Sequence, residues 1–233
     1  MIGKKVFIIA SCKEWHREEF ERVQKRGPGE WVYVANSKEL LQALESTEPR
    51  YIFFLHWNWR VPREIWSNHE CVCFHMTDLP YGRGGSPLQN LIERGIKETK
   101  LTAFRMEEEM DTGPIYAKFP MPLSGRAEEI YHRAGGLSWE IISTIIESEP
   151  DPVLQEGQGT VFSRRKPEQS ELPLQGGLEE LYDHIRMLDA PTYPLAYIKH
   201  GNFQMELSHA SFMGDEIRAS VVIRKNPNEK ESS

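Results

Sequence analysis

The chain has 233 residues, 39% hydrophobic and 27% charged, with a formal charge of −7 at pH 7. That length supports one substantial core with a modest appendage, or one large domain. The acidic balance argues against a protein that grips nucleic acid mainly through phosphate contacts, which need concentrated lysine and arginine.

The densest basic run is Arg164, Arg165 and Lys166. No stretch approaches the roughly 20 apolar residues of a membrane helix, so no membrane partner is expected. Residues 1–10 read as a strand and not a secretory signal, because no small-residue cleavage pattern follows a short apolar run. Cys12, Cys71 and Cys73 do not form a disulfide framework, and no second cysteine pair completes a zinc site with Cys71 and Cys73. A reducing, cytoplasmic setting is the simple reading.

In chain order, the first two thirds alternate strand and helix. Residues 5–10 (KVFIIA) are a nearly continuous apolar run, as in a strand covered on both faces. Residues 13–26 are polar, with Trp15, Phe20 and Val23 on one helical face, and 31–35 alternate. Asn36 or Ser37 caps a helix striped by Leu40, Leu41 and Leu44. Residues 51–55 form a third strand, 61–66 a short helix with Pro62 in its first turn, and 70–74 a strand ending just before His75. The stretch 77–87 holds Pro80, Gly82, Gly84 and Gly85 and reads as a loop. A helix from Pro87 or Leu88 runs to Arg94 and stops at Gly95. Strands at 101–105 and 115–120 flank an acidic loop, and 127–147 is the longest helix. After a stretch rich in Pro, Gly, Gln and charge, a helix at 178–188 precedes antiparallel strands at 193–199, 202–209 and 216–223.

This rhythm predicts an α/β fold, an open, twisted, mostly parallel sheet with helices on both faces, Rossmann-like, plus a small C-terminal cap of one helix and an antiparallel β-hairpin. The expected division is a catalytic domain over 1–149, a linker over 150–177, a small α/β subdomain over 178–225 and a tail over 226–233. The loop after the first strand reads Ser11-Cys12-Lys13-Glu14, so the dinucleotide-binding glycine pattern is missing. Ligands of such sheets sit beyond the carboxyl ends of the strands, and His75 lies immediately past one of them.

Residues 75–87 (HMTDLPYGRGGSP) carry that histidine into a loop whose glycines let backbone approach a ligand. Residues 107–115 (EEEMDTGPI) then place Asp111 at the start of another strand. A histidine that titrates near neutrality and a carboxylate to orient or charge it form an acid–base pair. Blander roles stand beside these. Arg83 reads as bracing the glycine loop against a carboxylate such as Asp78, residues 107–109 as a solvated rim, and Cys73 as a small buried side chain.

The two motifs resemble those of the folate-dependent formyltransferases: His75, Leu79-Pro80, Arg83-Gly84 and Pro87, then Asp111-Thr-Gly113-Pro-Ile115. A weaker likeness at 162–169 and 181–196 makes the chain most similar to the nucleotide-sugar N-formyltransferases within that family. The resemblance implies transfer of a formyl group from N10-formyltetrahydrofolate to the primary amine of a UDP- or dTDP-linked amino sugar, with no metal. It implies catalytic roles for His75 and Asp111. The family's third catalytic residue is an Asn two positions before the His; Cys73 stands there, and Asn58 is the candidate replacement. Folate contacts are expected from Leu79, Phe104, Met106, Glu107 and Asp111, and nucleotide-sugar contacts from Lys13, Trp15, His16, Arg164 and Tyr193. A homodimer is expected through the aromatic hairpin that carries Tyr193, Tyr197, Phe203 and Phe212. No nucleic-acid partner is expected, because the tRNA-formylating relatives carry a full basic C-terminal barrel, whereas this chain is acidic with only about 50 residues after the linker. Rival readings are another small amine as acceptor, hydrolysis of formyltetrahydrofolate, and non-catalytic binding of folate or nucleotide sugar.

Overall fold

A computed structural model describes residues 4–191 and 193–225, so the expected tail over 226–233 lies outside the described residues. The elements in chain order are β1 (Val6–Ala10), α1 (Trp15–Arg26), β2 (Glu30–Val34), α2 (Ser37–Ser46), β3 (Pro49–Phe54), α3 (Arg63–Trp66) and β4 (Cys71–His75). They continue with β5 (Arg83–Gly84), α4 (Pro87–Glu93), β6 (Glu98–Arg105), β7 (Ile115–Pro122), α5 (Ala127–Ser148) and β8 (Val161–Phe162). The last are α6 (Leu178–Arg186), β9 (Ala196–His200), β10 (Phe203–Phe212) and β11 (Ile217–Lys225). Two compact units result. The first comprises the chain up to Gly84, Lys100–Met121 and His132–Val161; the second comprises Gly85–Thr99, Pro122–Tyr131 and Phe162 onward.

The expected α/β architecture is present. A six-stranded sheet has the order β2-β1-β3-β4-β6-β7. Strand β1 pairs in parallel with β2 and β3, β3 pairs in parallel with β4, and β6 runs antiparallel to β4. Burial on both faces explains the unbroken apolar runs. Ile8, Ala10, Ile52, Phe54 and Cys71 pack on one face with Val34, Leu40, Val61 and Ile65. Strand alternation sends Phe7, Ile9, Tyr51 and Phe53 to the other face, where all are buried. Each such side chain contributes about 1.5–3 kcal/mol relative to exposure. Asn36 is the cap of α2: its Oδ1 accepts the Glu39 N–H at 3.0 Å, while Glu39 Oε2 accepts the Ala35 N–H at 2.7 Å. These reciprocal bonds satisfy donors that a first helical turn leaves open.

The second unit holds a three-stranded antiparallel sheet, β11-β10-β9, with β10 paired to both neighbours. Its polar anchor is buried Arg186, which donates to Asp183 Oδ1 at 2.6 Å and to the carbonyls of Leu123 at 2.6 Å and Gly125 at 2.8 Å. A buried guanidinium is tolerated where its donors are matched in this way. Among the described residues, no helix is long and apolar enough to cross a membrane.

Candidate active site

Strand β4 ends on His75, which is only 8% exposed. Its register against β6 places Thr102 opposite, and Thr102 Oγ1 donates to the Thr77 carbonyl at 2.7 Å, fixing the first turn beyond the strand. The chain then passes a cis Leu79–Pro80 peptide and curls back, so that His75 Nε2 meets the Gly82 carbonyl at 2.8 Å. A carbonyl can only accept, so Nε2 carries a proton and, in the neutral ring, Nδ1 bears the lone pair. Asp111 Oδ2 lies 3.7 Å from that Nδ1.

Asp111 is held as firmly as the imidazole. The Gly84 N–H donates to the same Oδ2 at 2.8 Å. Asp111 adopts φ 57°, a left-handed conformation that Asp tolerates better than most residues. Two residues on, a Cβ at Gly113 would lie 1.8 Å from the Arg105 carbonyl oxygen, so only glycine fits this close approach.

Gln155 ties the two loops together. Its Nε2 donates to the carbonyls of Asp111 and Gly113, each at 2.9 Å. Its Oε1 accepts from Arg83 Nη2 at 2.7 Å and Nε at 3.2 Å. Thr160 adds a second tie, its Oγ1 accepting the Gly82 N–H at 2.8 Å. Both lie in the stretch expected as linker, and nothing in its Pro- and Gly-rich composition marks them. Arg83 therefore does brace the glycine loop, but through Gln155; Asp78 is engaged by Lys118 at 2.6 Å and Lys100 at 3.0 Å.

Cys73 shares the β4 face of His75, two residues back. Burial pushes its thiol well above the ordinary range, and Cys71 and then the Asp111 carboxylate push it the same way. The thiol thus stays protonated beside Asp111, as a weak donor and not a nucleophile. Asn58 is exposed on the loop that leaves β3 and, among the described residues, makes no hydrogen bond to His75 or Asp111. Of the expected folate contacts, Leu79 and Phe104 are buried, Met106 packs on the core cluster, and Glu107 is exposed beside Arg105. Lys13, Trp15 and His16 gather in one aromatic cluster of the first unit. Arg164 and Tyr193 belong to the second unit, where Tyr193 Oη lies 3.0 Å from Ser86 Oγ. Among the described residues, no three His, Cys, Asp or Glu side chains are grouped to hold a metal ion.

Comparison with known proteins corrects part of the sequence reading. The chain is similar to a methionyl-tRNA formyltransferase from Clostridium thermocellum, with 45% identity, a TM-score of 0.91, and coverage of 95% of this chain and 100% of that one. Residues 167–224 match the family model "Methionyl-tRNA formyltransferase, C-terminal domain". A methionyl-tRNA formyltransferase of Bartonella henselae is 28% identical over 137 residues, 55% of this chain and 44% of the relative. The chain spans about half the length of such curated relatives. A 4-N formyltransferase from Francisella tularensis shares the fold, with a TM-score of 0.70 over 84% of this chain and 93% of that one, at 16% identity.

Likeness to the sugar-modifying branch is therefore overturned, and with it the nucleotide-linked amino sugar as acceptor and the exclusion of nucleic acid as partner. The short C-terminal unit that argued against the tRNA-formylating branch is the part that matches its C-terminal domain. Net charge misled because it sums the whole surface and is silent on any one face. The chain belongs to the methionyl-tRNA formyltransferase family, a family of folate-dependent formyltransferases.

Proposed function

We propose that the chain transfers a formyl group from N10-formyltetrahydrofolate to the α-amine of an aminoacyl group carried on tRNA. The observation that carries this reading is the end-to-end similarity to a methionyl-tRNA formyltransferase; the motif resemblance supports His75 and Asp111 as its catalytic pair. N10-formyltetrahydrofolate supplies an activated formyl carbon. Met106, Glu107 and the Asp111 loop are proposed to border the folate, with Leu79 and Phe104 backing them from the core.

The geometry supports a defined division of labour. With Nε2–H committed to the Gly82 carbonyl, His75 Nδ1 is the base that takes the proton released when the amine attacks. Asp111, fixed by Gly84 N–H and 3.7 Å from that nitrogen, offsets the positive charge the ring acquires. His75 then returns the proton to the departing folate nitrogen. Asn58 is the amide proposed to meet the formyl oxygen as it gains charge, with the Cys73 S–H as a weaker donor on the strand itself.

The test is incubation with N10-formyltetrahydrofolate and methionyl-tRNA, other aminoacyl-tRNAs or free methionine, read by mass as a gain of one formyl group. Formylated aminoacyl-tRNA, lost in His75→Ala, is the expected result. Product from free methionine alone, or from none of these acceptors, overturns the acceptor assignment.

A further inference from the structure

Which nitrogen of His75 serves as the base is decided outside the ring. A neutral imidazole carries one proton, and two acceptors compete for it: the Gly82 carbonyl, 2.8 Å from Nε2, and Asp111 Oδ2, 3.7 Å from Nδ1. The carbonyl prevails on distance, since a hydrogen bond is well formed at the first separation and not at the second. That margin is purely geometric. Displacing the carbonyl hands the proton to Nδ1, beside Asp111, and leaves the lone pair on Nε2, which points into the loop.

The Gly82 carbonyl is carried on residues 77–82, and three elements of the first unit hold them. From β6, Thr102 donates to the Thr77 carbonyl at 2.7 Å. Thr160 Oγ1 accepts the Gly82 N–H at 2.8 Å, and the Thr160 N–H donates to the Pro80 carbonyl at 3.2 Å. Between these holds, the Tyr81 N–H donates to the Asp78 carbonyl at 3.1 Å and closes a turn over residues 78–81. Lys118, on the edge strand β7, grips that turn at its start. Its Nζ donates to Asp78 Oδ1 at 2.6 Å and to the Leu79 carbonyl.

One ammonium thus holds a side-chain carboxylate and a backbone carbonyl of adjacent residues. Burial pushes the Asp78 carboxyl up, but Lys118 and then Lys100 outweigh it and hold the group below its ordinary range. Lys100 Nζ meets Asp78 Oδ2 at 3.0 Å and, among the described residues, makes no bond to the loop backbone. Ion pairs as open as these, with Asp78 41% exposed, add little to stability. What Lys118 adds is register: a fixed Leu79 carbonyl, three residues before the acceptor of His75.

We propose that Lys118 is a positioning residue for formyl transfer: by clamping the 78–81 turn it keeps the Gly82 carbonyl on His75 Nε2 and so leaves Nδ1 as the base. The inference rests on the transfer reaction proposed above, yet its first consequence, the His75 tautomer, is read without any substrate.

Long-range ¹H–¹⁵N spectra of the imidazoles in the full chain separate a ring nitrogen that carries a proton from one that bears a lone pair. Eight histidines contribute, and His75 is assigned by its loss in His75→Ala. The parent is expected to hold Nε2–H. In Lys118→Met the Nδ1–H form is expected to appear, with kcat for aminoacyl-tRNA lowered about tenfold and KM within about twofold of the parent. Lys118→Arg keeps the donors and is expected to restore tautomer and rate together. Lys100→Met removes a contact to the Asp78 carboxylate alone and is expected to leave both as in the parent. A parent already in the Nδ1–H form, a tautomer unchanged in Lys118→Met, or a loss of kcat that Lys100→Met reproduces overturns the proposal. Absence of transfer in the parent would fall on the proposed reaction, and the tautomer comparison still decides the role of Lys118.

Discussion

His75 and His16 are both buried, at 8% and 1% exposure, and belong to the same unit, yet their settings differ in kind. His75 sits between a backbone carbonyl and a fixed carboxylate, so a proton it gains meets a counter-charge. His16 faces a second imidazole and two indoles, so a proton it gains becomes a buried cation among rings. Burial drives an imidazole toward neutrality, as it does at His16. The first arrangement suits proton transfer, the second a neutral, packed interior.

The largest expected effects fall on the first setting. His75→Ala removes the proposed base and is expected to lower kcat about 10²–10⁴-fold, with thermal unfolding little changed. Asp111→Asn keeps the acceptor for Gly84 N–H but removes the charge, and about a hundredfold loss is expected, mainly in kcat. Single-turnover formyl transfer to aminoacyl-tRNA measures both. If His75→Ala kept activity within a few-fold of the parent, the contrast between the two histidine settings would carry no catalytic meaning.

Much of this was legible in the sequence, for physical reasons that can be named. The apolar runs at β1 and β3 read as strands buried on both faces, and the run before His75 read as a strand that delivers it to the carboxyl end of the sheet. Gly113 was visible as part of a motif, but its reason, a carbonyl oxygen 1.8 Å from any Cβ, required the fold. Gln155 and Thr160 were not legible, because a residue that bonds across more than 40 positions of chain leaves no local pattern. The acceptor was misread for a related reason. Charge and length are properties of the whole chain, whereas recognition depends on how one surface is arranged.

Intermediate effects should come from the brace. Gln155→Ala leaves Arg83 and the carbonyls of Asp111 and Gly113 without their shared partner, which costs about 1–3 kcal/mol. Urea denaturation gives that number directly. Because Asp111 is held through its own backbone, kcat is expected to fall about tenfold, by roughly 1.4 kcal/mol, with KM for the aminoacyl-tRNA little changed. Stability lost without any change in kcat would confine Gln155 to structure.

A smaller contrast separates Cys73 from Asn58. Cys73 lies on the His75 strand face within the field of Asp111, whereas Asn58 must swing in from an exposed loop. If Asn58 supplies the oxyanion donor, Asn58→Ala should cost about 10²-fold in kcat and Cys73→Ala only a few-fold. The reverse ranking would assign the donor to β4.

The mildest effect at neutral pH, and the one that tests the second setting alone, is the acid dependence of stability. His16 and His56 have folded-state values of about 3 and about 4, both below the 6.5 of a free imidazole. Between those limits the unfolded chain binds more protons than the folded one, so the stability this pair contributes is complete above pH 6.5 and is lost as pH falls toward 4. His56→Gln removes one of the two groups. The fall in unfolding temperature between pH 6 and pH 4.5 should become shallower by roughly 3–5 °C per pH unit, the equivalent of one proton at about 1.4 kcal/mol. An unchanged slope would mean that these rings accept protons while folded, and the contrast between the two histidine settings would lose its electrostatic basis.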